Sequence, residues 1–142
     1  MLLQDENLDL IDVDSLKKEI ERDLPETPVL TEDEIEDDLA EMYLSASNVT
    51  ASLYYNNEKI AALASTRARS FAARRAGRGI LKKIRDFICR FLNEGSTTSD
   101  IIDKILEALA SILPGGVIIK FLVKKIVKFV LNRGIGAFCR VA

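Results

Sequence analysis

The spacing of the apolar residues is the feature that most restricts the fold of this chain. After Asp14, apolar residues recur at intervals of three and four almost everywhere, and the alternation typical of a half-buried strand is nearly missing. Intervals of three and four place side chains on one face of an α-helix. The chain of 142 residues is therefore predicted to be all-α, and its apolar content of 48% is enough for the core of one ordinary domain.

Two amphipathic helices are predicted in the acidic amino-terminal part. Asp14 or Ser15 can cap the first helix, and Pro25 ends it. Thr31 and Glu34 have the spacing of a capping box, which predicts the start of the second helix. The apolar positions of the two helices form narrow stripes: Leu16, Ile20, Leu24, Ile35, Leu39 and Met42. Helices with such narrow apolar faces need a larger surface to pack against.

The middle of the chain is predicted to connect two parts. The small polar residues at 45–52 indicate a joint, the alanine-rich run at 57–76 indicates a helix, and Gly77 and Gly79 indicate a break. These signals divide the chain into three parts: an acidic regulatory or pro-segment (1–45), an Ala/Arg-rich helix or linker (46–78), and a basic amphipathic helical bundle (79–142).

Three helices are predicted in the basic part. The first covers 80–93, with its aliphatic and Phe residues within an arc of about 140° and its charged residues on the other side. The second covers 100–113, with Ser99 or Asp100 as its cap, and the proline and glycines at 114–116 end it.

The third helix lies in the stretch GGVIIKFLVKKIVKFV, which places four lysines in an apolar run. On a helix these lysines fall within about 140°, opposite the aliphatic residues. They are Lys120, Lys124, Lys125 and Lys128. About 15 helical residues span roughly 22 Å, less than the roughly 30 Å of a bilayer core, and four charges oppose insertion, so a lone spanning helix is not predicted. This row of lysines is compatible either with a core helix that has a solvated basic face or with a helix that lies in a membrane interface.

The charges are distributed unevenly along the chain, although the net charge is only -2. Residues 1–45 contain sixteen acidic and three basic residues, whereas residues 46–142 contain six acidic and seventeen basic residues. Such a distribution indicates either self-neutralisation within the chain or two partners of opposite charge.

Several functional classes are disfavoured by residues that the chain lacks. It contains no histidine, and Cys89 and Cys139 are too few for a disulfide framework and lack the spacing of metal ligands. No nucleophile-elbow, phosphate-loop or dinucleotide-binding pattern occurs, so we predict no enzyme, no cofactor and no metal. The start MLLQDENLDL resembles no secretory signal, which predicts a cytoplasmic precursor that is membrane-associated when active, with export by a non-standard route as the alternative.

The segments GILKKIRDFICRFLNEG, TTSDIIDKILEALASIL and VIIKFLVKKIVKFVLNRGIGAFCRVA together resemble small cationic helical bundles. The similarity is to the saposin-like pore-forming peptides and to the helical bacteriocins of the same shape, and it covers 79–142. The resemblance implies a membrane-active function and a disulfide between a cysteine of the first helix and one near the carboxyl end, the places that Cys89 and Cys139 occupy. Judged by themselves, the two cysteines favour two buried thiols over a bridge.

These observations predict a membrane-disrupting protein, pore-forming or bacteriocin-like, which its acidic segment keeps inactive. The residues expected to bind an anionic membrane are Lys82, Lys83, Arg90, Lys120, Lys124, Lys125, Lys128, Phe87, Phe91, Phe121 and Phe129. Activation is expected from a protease that cuts after an arginine of the joint, at Arg67, Arg69, Arg74, Arg75 or Arg78. The alternative is a helical adaptor or self-assembling interaction module, and a homo-oligomer is compatible with either function. Nucleic acid is not favoured as a partner, because the sequence pI is near 5.3 and no binding motif occurs.

Overall fold

The protein folds into helices that surround a single apolar core. A computed structural model describes residues 3–5, 7, 9–55 and 71–140. These residues form the helices α1 (Val13–Asp23), α2 (Glu32–Tyr55), α3 (Phe71–Phe91), α4 (Thr98–Ile112), α5 (Lys120–Arg133) and α6 (Ile135–Arg140). Short 3-10 turns at Leu24–Glu26 and Pro114–Gly116 follow α1 and α4. The predicted all-α fold is confirmed, and the described residues contain no strand beyond isolated bridges.

The amino-terminal helices begin with side-chain caps. Asp12, and not Asp14 or Ser15, caps α1, since its carboxylate accepts hydrogen bonds from the Asp14 amide (3.1 Å) and the Ser15 hydroxyl (2.9 Å). The predicted capping box of α2 is confirmed: the Glu34 carboxylate accepts from the Thr31 amide at 3.1 Å, and the Glu34 amide donates to the Thr31 hydroxyl at 3.3 Å.

The predicted joint at 45–52 is wrong, because α2 continues through it to Tyr55. The serines and Asn48 in this stretch lower helix propensity by only a few tenths of a kcal/mol each, and no Gly or Pro interrupts it. Ala46 is fully buried, so packing fixes the helix where composition indicated a loop.

The predicted break at Gly77 and Gly79 is also wrong, since both residues lie inside α3. A Cβ added at Gly77 would collide with the backbone carbonyl oxygen of Glu36 in α2 and would lie 3.3 Å from the Cβ of Ala40. Gly77 is therefore needed for the close approach of α2 and α3, which offsets its helix cost of about 1 kcal/mol. Consequently, both boundaries expected from composition, after 45 and after 78, fall within helices.

The later helices also start at different residues from those predicted. Thr97, and not Ser99 or Asp100, caps α4, and Asp100 completes a capping box with it. Helix α5 starts at Lys120, after an extended segment that pairs with the amino-terminal part of the chain: the Gln4 amide donates to the Gly116 carbonyl (3.1 Å), and the Ile118 amide donates to the Gln4 carbonyl (2.8 Å). This nonlocal pairing keeps 117–119 out of the helix.

Both halves of the chain contribute to the core. Helix α1 contacts α4, α2 contacts α3 and α5, and α6 contacts α3 and α5. Buried residues from all six helices form one continuous cluster, together with Leu3 of the amino-terminal segment. The apolar stripes of the acidic helices thus find the larger surface they need on the basic helices.

Candidate functional site

The candidate site is the interface where the acidic helices α1 and α2 cover the basic helix α5. Its centre is Lys124, whose ammonium group donates to Glu19 (3.2 Å) and Asp23 (2.9 Å) of α1. The two acids are four residues apart and therefore lie on the same side of α1. The Lys124 side chain is only 16% exposed, so α1 removes it from most of the solvent.

The other lysines in the middle of α5 also face the amino-terminal part of the chain. Lys128 donates to the Leu24 carbonyl oxygen at 2.9 Å, in the turn after α1. The Lys125 ammonium group lies 3.9 Å from an oxygen of Asp38 in α2. The structure therefore supports neither a solvated face for these three lysines nor a free interfacial helix, because α1, its following turn and α2 cover them.

Titration of the interface follows from these contacts. Hydrogen bonds from Arg22 and then from Lys124 lower the pKa of Asp23 from 3.8 to about 2. Burial by itself lowers the pKa of Lys124, but the hydrogen bonds to Asp23 and Glu19 outweigh it, and the net shift is upward. Burial raises the pKa of Asp38, and the charge of Lys125 opposes this shift. One Asp38 oxygen is buried without a hydrogen-bond partner, so the pair with Lys125 is a loose one.

A second junction is centred on Glu32 at the start of α2. Its carboxylate accepts from Arg85 of α3 at 2.7 Å and from Arg133 of α5 at 3.5 Å. The same Arg85 donates to the Phe138 carbonyl oxygen of α6 at 2.8 Å, and its guanidinium lies 4.7 Å from the centre of the Phe138 ring. Glu32 thereby ties the acidic segment to three basic helices.

The apolar half of the interface contributes most of the attachment. The stripe residues of α1 and α2 are at most 2% exposed: Leu16, Ile20, Ile35, Leu39 and Met42. Burying one such side chain contributes about 1.5–3 kcal/mol, whereas an ion pair between partly exposed side chains contributes about 0–1 kcal/mol. The acidic helices are therefore held mainly by apolar burial, and the ion pairs align them.

The structure divides the predicted membrane-binding residues into three groups. Exposed residues are Lys82, Lys83, Arg90, Lys120, Phe91 (53%) and Phe121 (60%). Half-buried residues are Lys124, Lys125, Lys128 and Phe87. Phe129 is 3% exposed and packs edge-on against Phe138, with ring centroids 6.2 Å apart, so it belongs to the core. Both exposed Phe rings of this set have a lysine close by: Lys104 is 4.8 Å from the ring centroid of Phe91, and Lys125 is 4.3 Å from that of Phe121.

The structure describes three of the five predicted cleavage sites. Arg67 and Arg69 lie outside the described residues. Arg74, Arg75 and Arg78 lie within α3, and Arg78 pairs with Glu36 of α2 at 3.4 Å. Because a protease binds extended chain, α3 would have to unwind before a cut at these three residues, and cleavage there stays a prediction.

A disulfide joins Cys89 of α3 to Cys139 of α6, with the Cα atoms 5.7 Å apart. It fixes the short α6 against α3 and thereby positions the Phe138 carbonyl that Arg85 contacts. The structure thus has the bridge that the resemblance implied, and the prediction of two buried thiols from the cysteines alone is wrong.

Sequence reasoning did not identify the partners of the basic residues. Glu19 and Asp23 had a usable signal, since they flank Ile20 on α1 and so border its buried stripe. Glu32, Arg85 and Arg133 had none, because their meeting depends on the packing of three helices.

The described residues hold no group of acidic or cysteine side chains arranged for a metal ion. None of the helices within 3–55 and 71–140 combines the length and hydropathy needed to cross a bilayer. The chain matches no protein-family model, no curated protein and no solved structure.

Proposed function

We propose that this protein is a latent membrane-disrupting protein whose acidic helices cover the basic face of α5. The observation that carries the proposal is the position of Lys124 between Glu19 and Asp23. A helix that only fills a core would not have a lysine in its middle. A lysine on a solvated face would not be paired with two acids from a helix about 100 residues away in the chain. An acidic cover over a cationic amphipathic helix is the arrangement that latency requires.

Uncovering α5 would expose two features together. Removal of α1 and α2 frees Lys124, Lys125 and Lys128 from their present contacts. It also bares the aliphatic residues that now pack against the acidic helices. A helix with basic residues beside a broad apolar face binds the headgroup region of anionic bilayers, where the lysines meet phosphate and the apolar side chains meet acyl chains.

A cut in the chain does not by itself release the acidic helices. Cleavage at Arg67 or Arg69, as we predict, leaves α1 and α2 in place, because buried apolar residues hold them. A bilayer supplies an alternative apolar environment for the same faces of α5. The cut and the anionic surface are therefore both required, and neither alone activates the protein.

Dye release from vesicles tests this proposal. A recognition sequence for a specific protease is inserted between residues 56 and 70 of the full chain, and the protein is added to dye-filled phosphatidylglycerol or phosphatidylcholine vesicles. We expect release only from the anionic vesicles and only after cutting. Absence of release from cut protein at any lipid concentration would overturn the proposal.

The adaptor function is the alternative that a specific observation favours. Asp33, Glu34 and Glu41 are exposed on α2, while Lys82 and Lys83 are exposed on α3, so one surface could bind the other in a second copy. Light scattering distinguishes the two functions. A concentration-dependent oligomer of the intact protein, together with vesicles that stay sealed after cutting, would support the adaptor.

A further inference from the structure

The basic residues outside the covered interface form a surface of their own. Lys82, Lys83 and Arg90 are exposed on α3, and none of them forms an ion pair with a described residue. We call these three residues the open basic face. They contrast with the middle lysines of α5, which the amino-terminal segment already contacts.

The open basic face points away from the acidic helix α2. At about 100° per residue, Lys82 lies about 140° around α3 from Gly77, the residue that touches α2. From Lys82 to Arg90 the face covers about 100° of the helix and about 12 Å of its length. Asp86 is the acidic residue within it, which leaves an excess of two positive charges on this face.

Apolar rings border one edge of this face. Phe91 follows Arg90 directly and is 53% exposed, and its ring centroid lies 5.0 Å from that of the half-buried Phe87. The Lys104 ammonium lies 4.8 Å from the centroid of the Phe91 ring and pairs with Glu107 at 2.8 Å, so the excess charge of the face comes from α3 alone. An exposed Phe beside a row of basic residues matches the interfacial layer of an anionic bilayer, where charge meets phosphate and the ring meets acyl carbon.

We propose that the intact, uncut protein docks on anionic bilayers through the open basic face. The inference rests on the proposed function for its choice of a bilayer as partner. It adds that docking and disruption use different helices: α3 binds the surface first, and α5 acts after its cover is removed. Docking would also provide the anionic surface against which cut protein loses its cover.

A bilayer fits the face better than nucleic acid does. The face is a short row on one helix with an excess of only two positive charges, whereas binding to duplex DNA rests on many Lys and Arg contacts to phosphates. The exposed Phe91 supplies an apolar group that a phosphate backbone does not use but a membrane interface does.

Flotation of intact protein with vesicles tests this inference. The wild type should float with phosphatidylglycerol vesicles and not with phosphatidylcholine vesicles. The Lys82→Gln, Lys83→Gln double variant should bind about 30-fold more weakly, because each lysine near an anionic surface contributes about a factor of five. Glutamine has nearly the helix propensity of lysine, so the variant should keep its circular dichroism spectrum and melting temperature.

The matched control removes one charge elsewhere. Lys18 is exposed on α1, and Lys18→Gln should leave binding within about twofold of wild type, whereas Lys82→Gln alone should weaken it about fivefold. Equal flotation of the α3 variant and the wild type would overturn the inference, and so would wild-type binding to a DNA duplex without binding to vesicles.

The failures of this inference and of the proposed function are distinguishable. If intact protein does not float but cut protein releases dye, docking through α3 is wrong and latency stands. If intact protein floats through the lysines of α3 but cut protein releases no dye, docking stands and the disruptive function is wrong.

Discussion

The attachment of the acidic helices can be tested by comparing one apolar and one charged change in α1. Ile20 is fully buried in the shared core, whereas its neighbour Glu19 is one of two acids that hold Lys124. Truncating a fully buried isoleucine to alanine costs about 2–5 kcal/mol, including the cavity that it leaves. Neutralising one acid of a partly exposed pair costs about 0–1 kcal/mol. Ile20→Ala should therefore lower the free energy of unfolding at least twice as much as Glu19→Gln.

Urea denaturation, followed by circular dichroism, measures both changes. A matched control is Leu10→Ala, which removes an aliphatic side chain that is 72% exposed and should change stability by less than about 0.5 kcal/mol. Salt provides a second check, since exposed pairs are screened within about 8 Å at physiological ionic strength and buried aliphatic contacts are not. If Glu19→Gln proved the more damaging change, or if salt alone detached α1, the view that apolar burial holds the cover would be wrong.

Three further perturbations follow from the structure. Gly77→Ala should destabilise the protein by about 1–3 kcal/mol, because the new Cβ meets the backbone of α2. A Cβ at Gly79 in the same helix meets nothing within 4 Å, so Gly79→Ala should stabilise the protein by about 0.5–1 kcal/mol, and thermal melts of both variants check this. Replacing Cys89 and Cys139 by serine should lower the free energy of unfolding by about 4 kcal/mol, from the entropy of a loop whose ends are 50 residues apart, and equal urea midpoints for oxidised and reduced protein would contradict it. The pKa of Asp23 falls from 3.8 to about 2 on folding, so the contribution of its carboxylate to stability is present above pH 4 and is lost as the pH falls through 2. Asp23→Asn should therefore lose less stability than the wild type over that pH range, and identical acid-titration curves would refute this linkage.

Patterns of residues within one helix were sufficient to predict where α2 starts and which of its residues are buried. The box of Thr31 and Glu34 starts α2 as expected, and the stripe positions Ile35 and Leu39 are buried. Both features depend on residues three or four apart, so the sequence contains them directly.

The sequence failed where distant segments decide the local structure. Gly77 was predicted to break the helix, because no residue near it in the sequence shows that the approach of α2 requires a residue without a side chain there. Helix α5 starts late because Gln4, more than 100 residues earlier, pairs with the segment before it. Composition predicted an acidic cover, but the partners of Lys124 could be assigned only once α1 was placed against α5.

The crossing of α2 and α3 at Gly77 has a consequence for any cut between residues 56 and 70. Such a cut turns one chain into a complex of two, whose partners share a core but no covalent link, since the disulfide lies wholly on the carboxyl-terminal side. Holding that complex together then depends on mass action, which an intact chain does not need. Cut molecules at high concentration therefore stay assembled, and dilution assists the anionic surface in separating the two fragments.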